Sequence, residues 1–398
     1  MLLPKGDLND FWDRALHETQ CLQRAALIKD QFDCQAFGET VALEVISQLC
    51  QIDDSGLKAG ARVYVDGAET SQSTFSVGET PLPAESLFDW LKRRFVEQGF
   101  CTIVNYANVC SEAYTQAVAE LLVPLVPQLK SLGCAYPFIE PGLFLGDYDK
   151  TPFGIHIDKA ELVSVLHVHL GPGSKRMTVW PASHSEFAGK NNILHNISGH
   201  LNTGKTYLIE AGDAFFLPAG SHYHIGENQS LSLSLTIAIH NSQNNQRKAV
   251  KQMLKRHGES GENASRADLQ RELQELIDHQ ACRRHSNRYL PRCLLSGLKS
   301  PLVLKGRIQK TAPFEISLTA AADDGQSTVY ARGYKLREKA SIEAHALIHD
   351  INNGQRIDVE TWLNNQVDPL ERVAQESLIR ELLAVHAITL APLSKAAQ

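Results

Sequence analysis

Between residues 142 and 240 the sequence breaks into short alternating runs: LVSVLHVHL, RMTVWP, TYLIEAGDAFFLP and SLSLSLTIAI. Successive side chains of a strand point to opposite faces, so alternation gives each run two faces of different character. Gly, Pro, Asn and Ser turns separate the runs. A series of short strands joined by turns predicts a β-sandwich or barrel.

The flanking texture is helical. AESLFDWLKRRFVEQG places apolar residues at 87, 88, 91, 95 and 96, close to a 3.6 period, and Gly99 stops it. CTIVNY (101–106) is a short β-rich run, and EAYTQAVAELLVPLVPQLKSL is a second helix that Pro124 ends or kinks. Residues 246–280 read as a polar helical segment with Ser265 as a cap. After 300, IEAHALIHDIN, VETWLNNQ and VAQESLIRELLAVHAITL predict three short helices. These changes divide the chain into 1–241, a helical linker at 242–300 and a C-terminal module at 301–398.

Charge follows the same divisions. Residues 1–241 hold 16 Lys and Arg against 27 Asp and Glu, residues 242–300 hold 12 against 6, and residues 301–398 hold 11 against 12. An acidic front does not describe a general nucleic-acid binder. VETWLNNQ has no Lys or Arg, so no specific DNA binding is expected of the module. The segment ADLQRELQELI has apolar residues at 269, 273, 276 and 277, and a homodimer contact is expected there. Eight scattered cysteines form no C-x-x-C pair, which argues for reduced thiols. The N-terminus lacks a signal-peptide pattern, and AELLVPLVPQL is too short to span a bilayer. A cytoplasmic location without membrane contact is expected.

One motif is a decoy. GHLNTGKT (199–206) fits G-x-x-x-x-G-K-[ST]. A phosphate loop needs a buried strand before it and a helix after it. Here a polar loop precedes, and strand-like sequence follows, so the segment is read as a hairpin turn.

GIHIDKAEL (154–162) is the stronger feature. In a strand, His156 and Asp158 project from one face, and a second imidazole from a distant strand would complete a two-His-one-carboxylate set. That set occupies one face of an octahedral Fe(II) and leaves three positions open. PAGSHYHIGEN (218–228) offers His222 and His224, which share a face and cannot be separated by strand periodicity. His167 and His169 in LHVHL read as packing residues.

The ordered set HID (156–158), KRMTVWP (175–181) and GDAFFLPAGSHYH (212–224) resembles the JmjC/cupin-type Fe(II)/2-oxoglutarate-dependent oxygenases. The nearest likeness is to the ribosomal oxygenases and the asparaginyl hydroxylase of hypoxia-inducible factor. It covers roughly 85–240 well and the rest weakly. The resemblance implies a double-stranded β-helix (jelly-roll/cupin) core with flanking helices, a helical linker and a C-terminal winged-helix-like module. It implies that His156, Asp158 and His224 hold iron. His224 follows from aligning the family's H-x-x-x-N on His224 to Asn228, which leaves His222 as a pocket or alternative ligand. Lys175 would pair with the far carboxylate of 2-oxoglutarate, and Ser234 and Thr236 would hydrogen-bond it. Two departures stand out: Phe153 replaces a family Thr or Ser, and the interval from His156 to Lys175 is longer than in the asparaginyl hydroxylase. The implied activity is hydroxylation of a side chain of a peptide or protein, using Fe(II), 2-oxoglutarate and O2. The alternatives are a non-catalytic cupin binding protein and an N-methyl-lysine demethylase.

Overall fold

The structure is a computed structural model. It describes residues 3–33, 35–51, 61–70, 80–96, 98–132, 134, 137–152, 154–158, 162–184, 187, 193–194, 199–240, 250–256, 265–286, 304–320 and 325–391. Phe153 and part of the 246–280 segment lie outside these residues. The chain divides into two compact units, 1–133 with 139–241, and 134–138 with 242–398. Both mix helices with antiparallel sheets.

From the N-terminus to residue 240 the strands are β1 (Leu3–Pro4), β2 (Ala26–Ile28), β3 (Phe32–Asp33), β4 (Ala61–Val65), β5 (Ala68–Thr70), β6 (Phe100–Asn105), β7 (Phe138–Asp147) and β8 (Ile155–Ile157). They continue as β9 (Leu162–Pro172), β10 (Lys175–Pro181), β11 (Ile193–Leu194), β12 (Lys205–Ile209), β13 (Ala214–Pro218), β14 (His222–Asn228) and β15 (Ser232–His240). Eight form one sheet in the order β2-β13-β9-β15-β7-β6-β4-β5, and five form a second, β11-β8-β14-β10-β12.

The alternation of β15 explains the layering. Leu233, Leu235, Ile237 and Ile239 are all buried, and so are Ser232, Ser234 and Thr236 on the other face. The apolar face packs under helices. A Cβ on Gly38, in the helix Gln35–Gln51, would sit 2.9 Å from Leu170 and 3.2 Å from Leu233, so the glycine lets this helix lie close. Trp12 and Phe11 of the helix Leu8–Glu18 pack against Phe216, Trp12 edge to face, and Trp12 Nε1 donates to the Leu121 carbonyl (2.6 Å) of the helix Glu112–Leu122. The polar face is buried too, and it looks toward the five-stranded sheet. Phe215 and Leu217 of the large sheet meet Met177, Val179 and Ile209 of the small one. A polar interior face in a β-layered core marks a site rather than packing.

The Gly-Asp turn before β13 fixes the N-terminal strands. Gly212 has φ +90°, and a Cβ there would lie 2.6 Å from the Phe32 carbonyl. The Asp213 carboxylate accepts from the backbone N–H groups of Glu210 and Asp30, both at 2.8 Å, and meets Lys29 Nζ at 2.9 Å.

The outer face of the five-stranded sheet is closed by Trp180, Phe187, Tyr223, Ile155 and Ile225. Trp180 is fully buried, and its Nε1 donates to Thr203 Oγ1 (3.0 Å). Gly204 passes so near that a Cβ would lie 2.6 Å from the Trp180 ring. Trp180→Ala is therefore expected to destabilise the fold by about 3–5 kcal/mol, measured by denaturant unfolding. The decoy segment lies here: Lys205 and Thr206 are on β12, and no helix follows them.

In the second unit the three predicted helices are Ile342–Asn352, Val359–Asn364 and Pro369–Ala384. Ser341, Asp358 and Asp368 cap them by accepting from the Ala344, Thr361 and Leu370 amides. They pack on two three-stranded sheets around Ile308, Val329, Leu347, Ile348, Leu378 and Leu382. The polar helix Arg266–His285 lies on the same unit: Cys282 Sγ donates to the Leu318 carbonyl (3.1 Å) and Arg283 to that of Gly333 (3.1 Å). Among the described residues, no helix is long and apolar enough to cross a membrane.

Candidate metal centre

Register, not residue spacing, builds this site. β14 pairs antiparallel with β8, and the register sets His224 directly opposite His156. Their rings come within 3.9 Å, centroid to centroid. Asp158 follows β8 and brings a carboxylate to the same place. One ligand atom from each of His156, Asp158 and His224 lies within 4.8 Å of the others. His222 begins β14 opposite Pro181, with Nδ1 at 2.8 Å from Ser221 Oγ, and is not part of this group.

The electrostatics suit a cation. Burial pushes the His156 and His224 imidazoles down to about 3, so both are neutral lone-pair donors at physiological pH. His156 Nδ1 donates to the Gly154 carbonyl (3.2 Å), which leaves Nε2 to ligate. Burial raises the Asp158 carboxyl, against the pull of His156 and His240. Two neutral imidazoles and a carboxylate on one side of a single point fit a divalent ion such as Fe(II), and that donor set leaves positions open for exchangeable ligands.

Lys175 opens β10 on the same interior face. It is only 3% exposed, and burial lowers its ammonium to about 8. No carboxylate among the described residues lies within ion-pair distance of it. Its Nζ stands 5.1 Å from the Phe144 ring centroid. Gly226 makes the room, because a Cβ there would lie 2.9 Å from Lys175 Cε and 3.0 Å from Thr151 Oγ1. Thr151 Oγ1 donates to the Gly226 carbonyl (2.9 Å), and Tyr148 is buried beside Thr151 and Asn228. A buried cation without an anion is a carboxylate site in waiting.

Ser234 and Thr236 lie on the facing sheet. Ser234 Oγ is held by His169 Nδ1 (3.0 Å), and Thr236 sits opposite His167 across β9. His169 packs as expected, with its Nε2 donating to the Gly173 carbonyl (2.5 Å).

Two groups escaped the sequence reading. Tyr148 and Thr151 line the lysine pocket from the end of β7 and the loop that follows. Glu140 accepts from Tyr106 Oη and pairs with His240 Nε2, both at 3.1 Å, and His240 is close enough to Asp158 to affect it. The signal for Glu140 was its place in the inward alternation of β7, shared with Gly142 and Phe144.

No family profile and no curated protein matches this chain by sequence. Solved structures do match it by shape. The E. coli protein YcfD aligns with 98% of this chain and 100% of its own, at TM-score 0.53 and 13% identity. Another structure of YcfD, described as a ribosomal oxygenase from Escherichia coli, gives TM-score 0.52 at 13% identity, covering 98% and 99%. A third, of YcfD in complex with cobalt and 2-oxoglutarate, gives 0.51 at 13% identity over the same shares. At such identity the likeness concerns the fold: this chain has the mixed α/β, antiparallel-sheet architecture of those oxygenase structures over nearly its whole length.

Proposed function

We propose that the chain is an Fe(II)/2-oxoglutarate-dependent oxygenase that hydroxylates an amino-acid side chain of a peptide or protein. The observation that carries this reading is the grouping of His156, Asp158 and His224 around one point, with a buried Lys175 on the same interior face that has no carboxylate partner among the described residues. The cobalt and 2-oxoglutarate bound by YcfD support it, with cobalt standing in for iron.

Iron with its keto acid and O2 supplies the oxidant that inserts oxygen into a C–H bond, as 2-oxoglutarate becomes succinate and CO2. This chain's residues do the rest. His156, Asp158 and His224 hold the ion on one face. Lys175 pairs with the far carboxylate of 2-oxoglutarate, and Thr236 and Ser234 stand on the facing wall as hydrogen-bonding partners. The apolar contacts of Phe215, Leu217, Met177 and Val179 close one end of the interior to water. A ribosomal protein suits the acidic catalytic half, whose 27 Asp and Glu face only 16 Lys and Arg. The same reading makes the strand-rich core a double-stranded β-helix, 301–398 a winged-helix-like module and the 242–300 linker a homodimer contact, in a cytoplasmic protein.

The test is succinate formation from 2-oxoglutarate with Fe(II) and air, since such enzymes turn over slowly without substrate. Succinate from wild type but not from Asp158→Ala supports an oxygenase. No succinate from iron-loaded wild type, even with ribosomal protein added, would make the chain a binding cupin.

A further inference from the structure

We infer that His167 is a cosubstrate-positioning residue that donates a hydrogen bond to an oxygen of the bound keto acid, an inference that rests on the oxygenase reading. His167 is 8% exposed, and neither Nδ1 nor Nε2 has a hydrogen-bond partner among the described residues. Native proteins rarely bury a polar ring this way, because its nitrogens forfeit water and gain nothing. His169, two residues on and on the same face, has both ring nitrogens satisfied. The contrast makes His167 the exception on its strand.

Its place explains it. On β9 it lies opposite Thr236 of β15 and Phe215 of β13, so it faces the interior shared with the five-stranded sheet. The groups whose fields reach it are Lys175, His224, His156 and His169. It therefore lies near both the cation that takes the far carboxylate and the imidazoles that take the ion. A dicarboxylate held by Lys175 and the ion would be bound on the interior face that carries the ring. A neutral imidazole offers one N–H, and a carboxylate or keto oxygen is the acceptor it lacks. A second metal is not the answer, since the only ligand cluster among the described residues is His156, Asp158 and His224.

The test is calorimetry on the full chain, titrated with Co(II) and then with 2-oxoglutarate, for wild type, His167→Leu and His167→Asn. Co(II) affinity should be equal in all three. The 2-oxoglutarate affinity should fall by about tenfold or more in His167→Leu, the worth of one hydrogen bond to a charged acceptor. His167→Asn, which keeps a donor, should stay within about threefold of wild type. Should His167→Leu fail to fold, His167→Phe fills the space beside Phe215 without a donor and replaces it. Unchanged 2-oxoglutarate affinity in the donor-free variant would overturn the inference and leave the oxygenase reading standing. Equal loss of cobalt and keto-acid binding would reduce His167 to a structural role and overturn it too. Wild type that binds cobalt but not 2-oxoglutarate would remove the oxygenase reading itself.

Discussion

Asp158→Ala is expected to abolish metal binding and to lower 2-oxoglutarate turnover by about three orders of magnitude or more, while the fold survives. Asp158 is the carboxylate of the ligand set, so its loss removes the anion that offsets the charge of the ion. His224→Ala should have the same effect, because register places it opposite His156. His222→Ala should retain the metal and much of the activity. The fold is expected to survive without the ion because the surrounding core is supplied by Trp180, Phe215, Phe216 and the β15 leucines. Equilibrium dialysis against Co(II), with a thermal melt of each metal-free variant, measures both halves of this expectation.

Acid offers a check on the same residues without metal. The His156 and His224 imidazoles have folded values of about 3, against 6.5 when unfolded. The unfolded chain then binds more protons between those values. Stability should be full above pH 6.5 and fall as pH drops toward 3. The fall should be shallower in His224→Ala, because one of the two titrating groups is gone.

Lys175→Met should do two opposite things. It should weaken 2-oxoglutarate binding by about a hundredfold or more, since the far carboxylate loses a buried cation. It should also stabilise the ligand-free chain at neutral pH, by about 3 kcal/mol at most. Methionine keeps the apolar stem beside Phe144 and removes a buried charge. The sign follows from the values: the ammonium sits at about 8 folded and 10.5 unfolded. The unfolded chain holds the extra proton between them, so the cost is whole below pH 8 and is relieved as pH rises toward 10.5. Wild type should therefore gain stability over that window relative to Lys175→Met. For the same reason its 2-oxoglutarate affinity should fall as pH rises above 8. A less stable Lys175→Met chain would mean that the ammonium already has an anion.

The sequence carried the site further than the fold. H-x-D on a strand named His156 and Asp158, because alternation alone puts them on one face. The choice between His222 and His224 was beyond alternation, since both face inward. The pairing of Tyr223 with Ile157 and of His224 with His156 brings His224, and not His222, beside His156 and Asp158. Tyr148, Thr151 and His167 meet the other residues through contacts between distant strands and the loop after β7, which local sequence does not mark.

The helices of the second unit were legible because each has a period, a cap and enough length. Its strands were not. RIQK and ISL, at Arg307–Lys310 and Ile316–Leu318, are too short to show alternation. The hairpin Ser327–Ala331 to Tyr334–Ala340 turns on Arg332 and Gly333, with φ +51° and +78°. An arginine there disguises a turn usually marked by Asn or Asp. Its cost is offset where the guanidinium stacks 3.6 Å from the Phe314 ring centroid and NH1 donates to the His386 carbonyl (3.2 Å). The β4–β5 hairpin uses the plainer pair Asp66–Gly67, with φ +49° and +79°, between strands of only five and three residues. β2 has only three residues, and Asp213 and β13 hold it in place rather than any pattern of its own.

The most direct test of the central claim is an anaerobic titration of the Fe(II)-loaded chain with 2-oxoglutarate, followed by visible absorption. A keto acid that chelates ferrous iron gives a charge-transfer band that neither component shows alone. The band should appear and saturate at one equivalent of 2-oxoglutarate per chain, be absent in Asp158→Ala and require far more keto acid in Lys175→Met. Iron bound at one equivalent with no band at saturating 2-oxoglutarate would contradict the account.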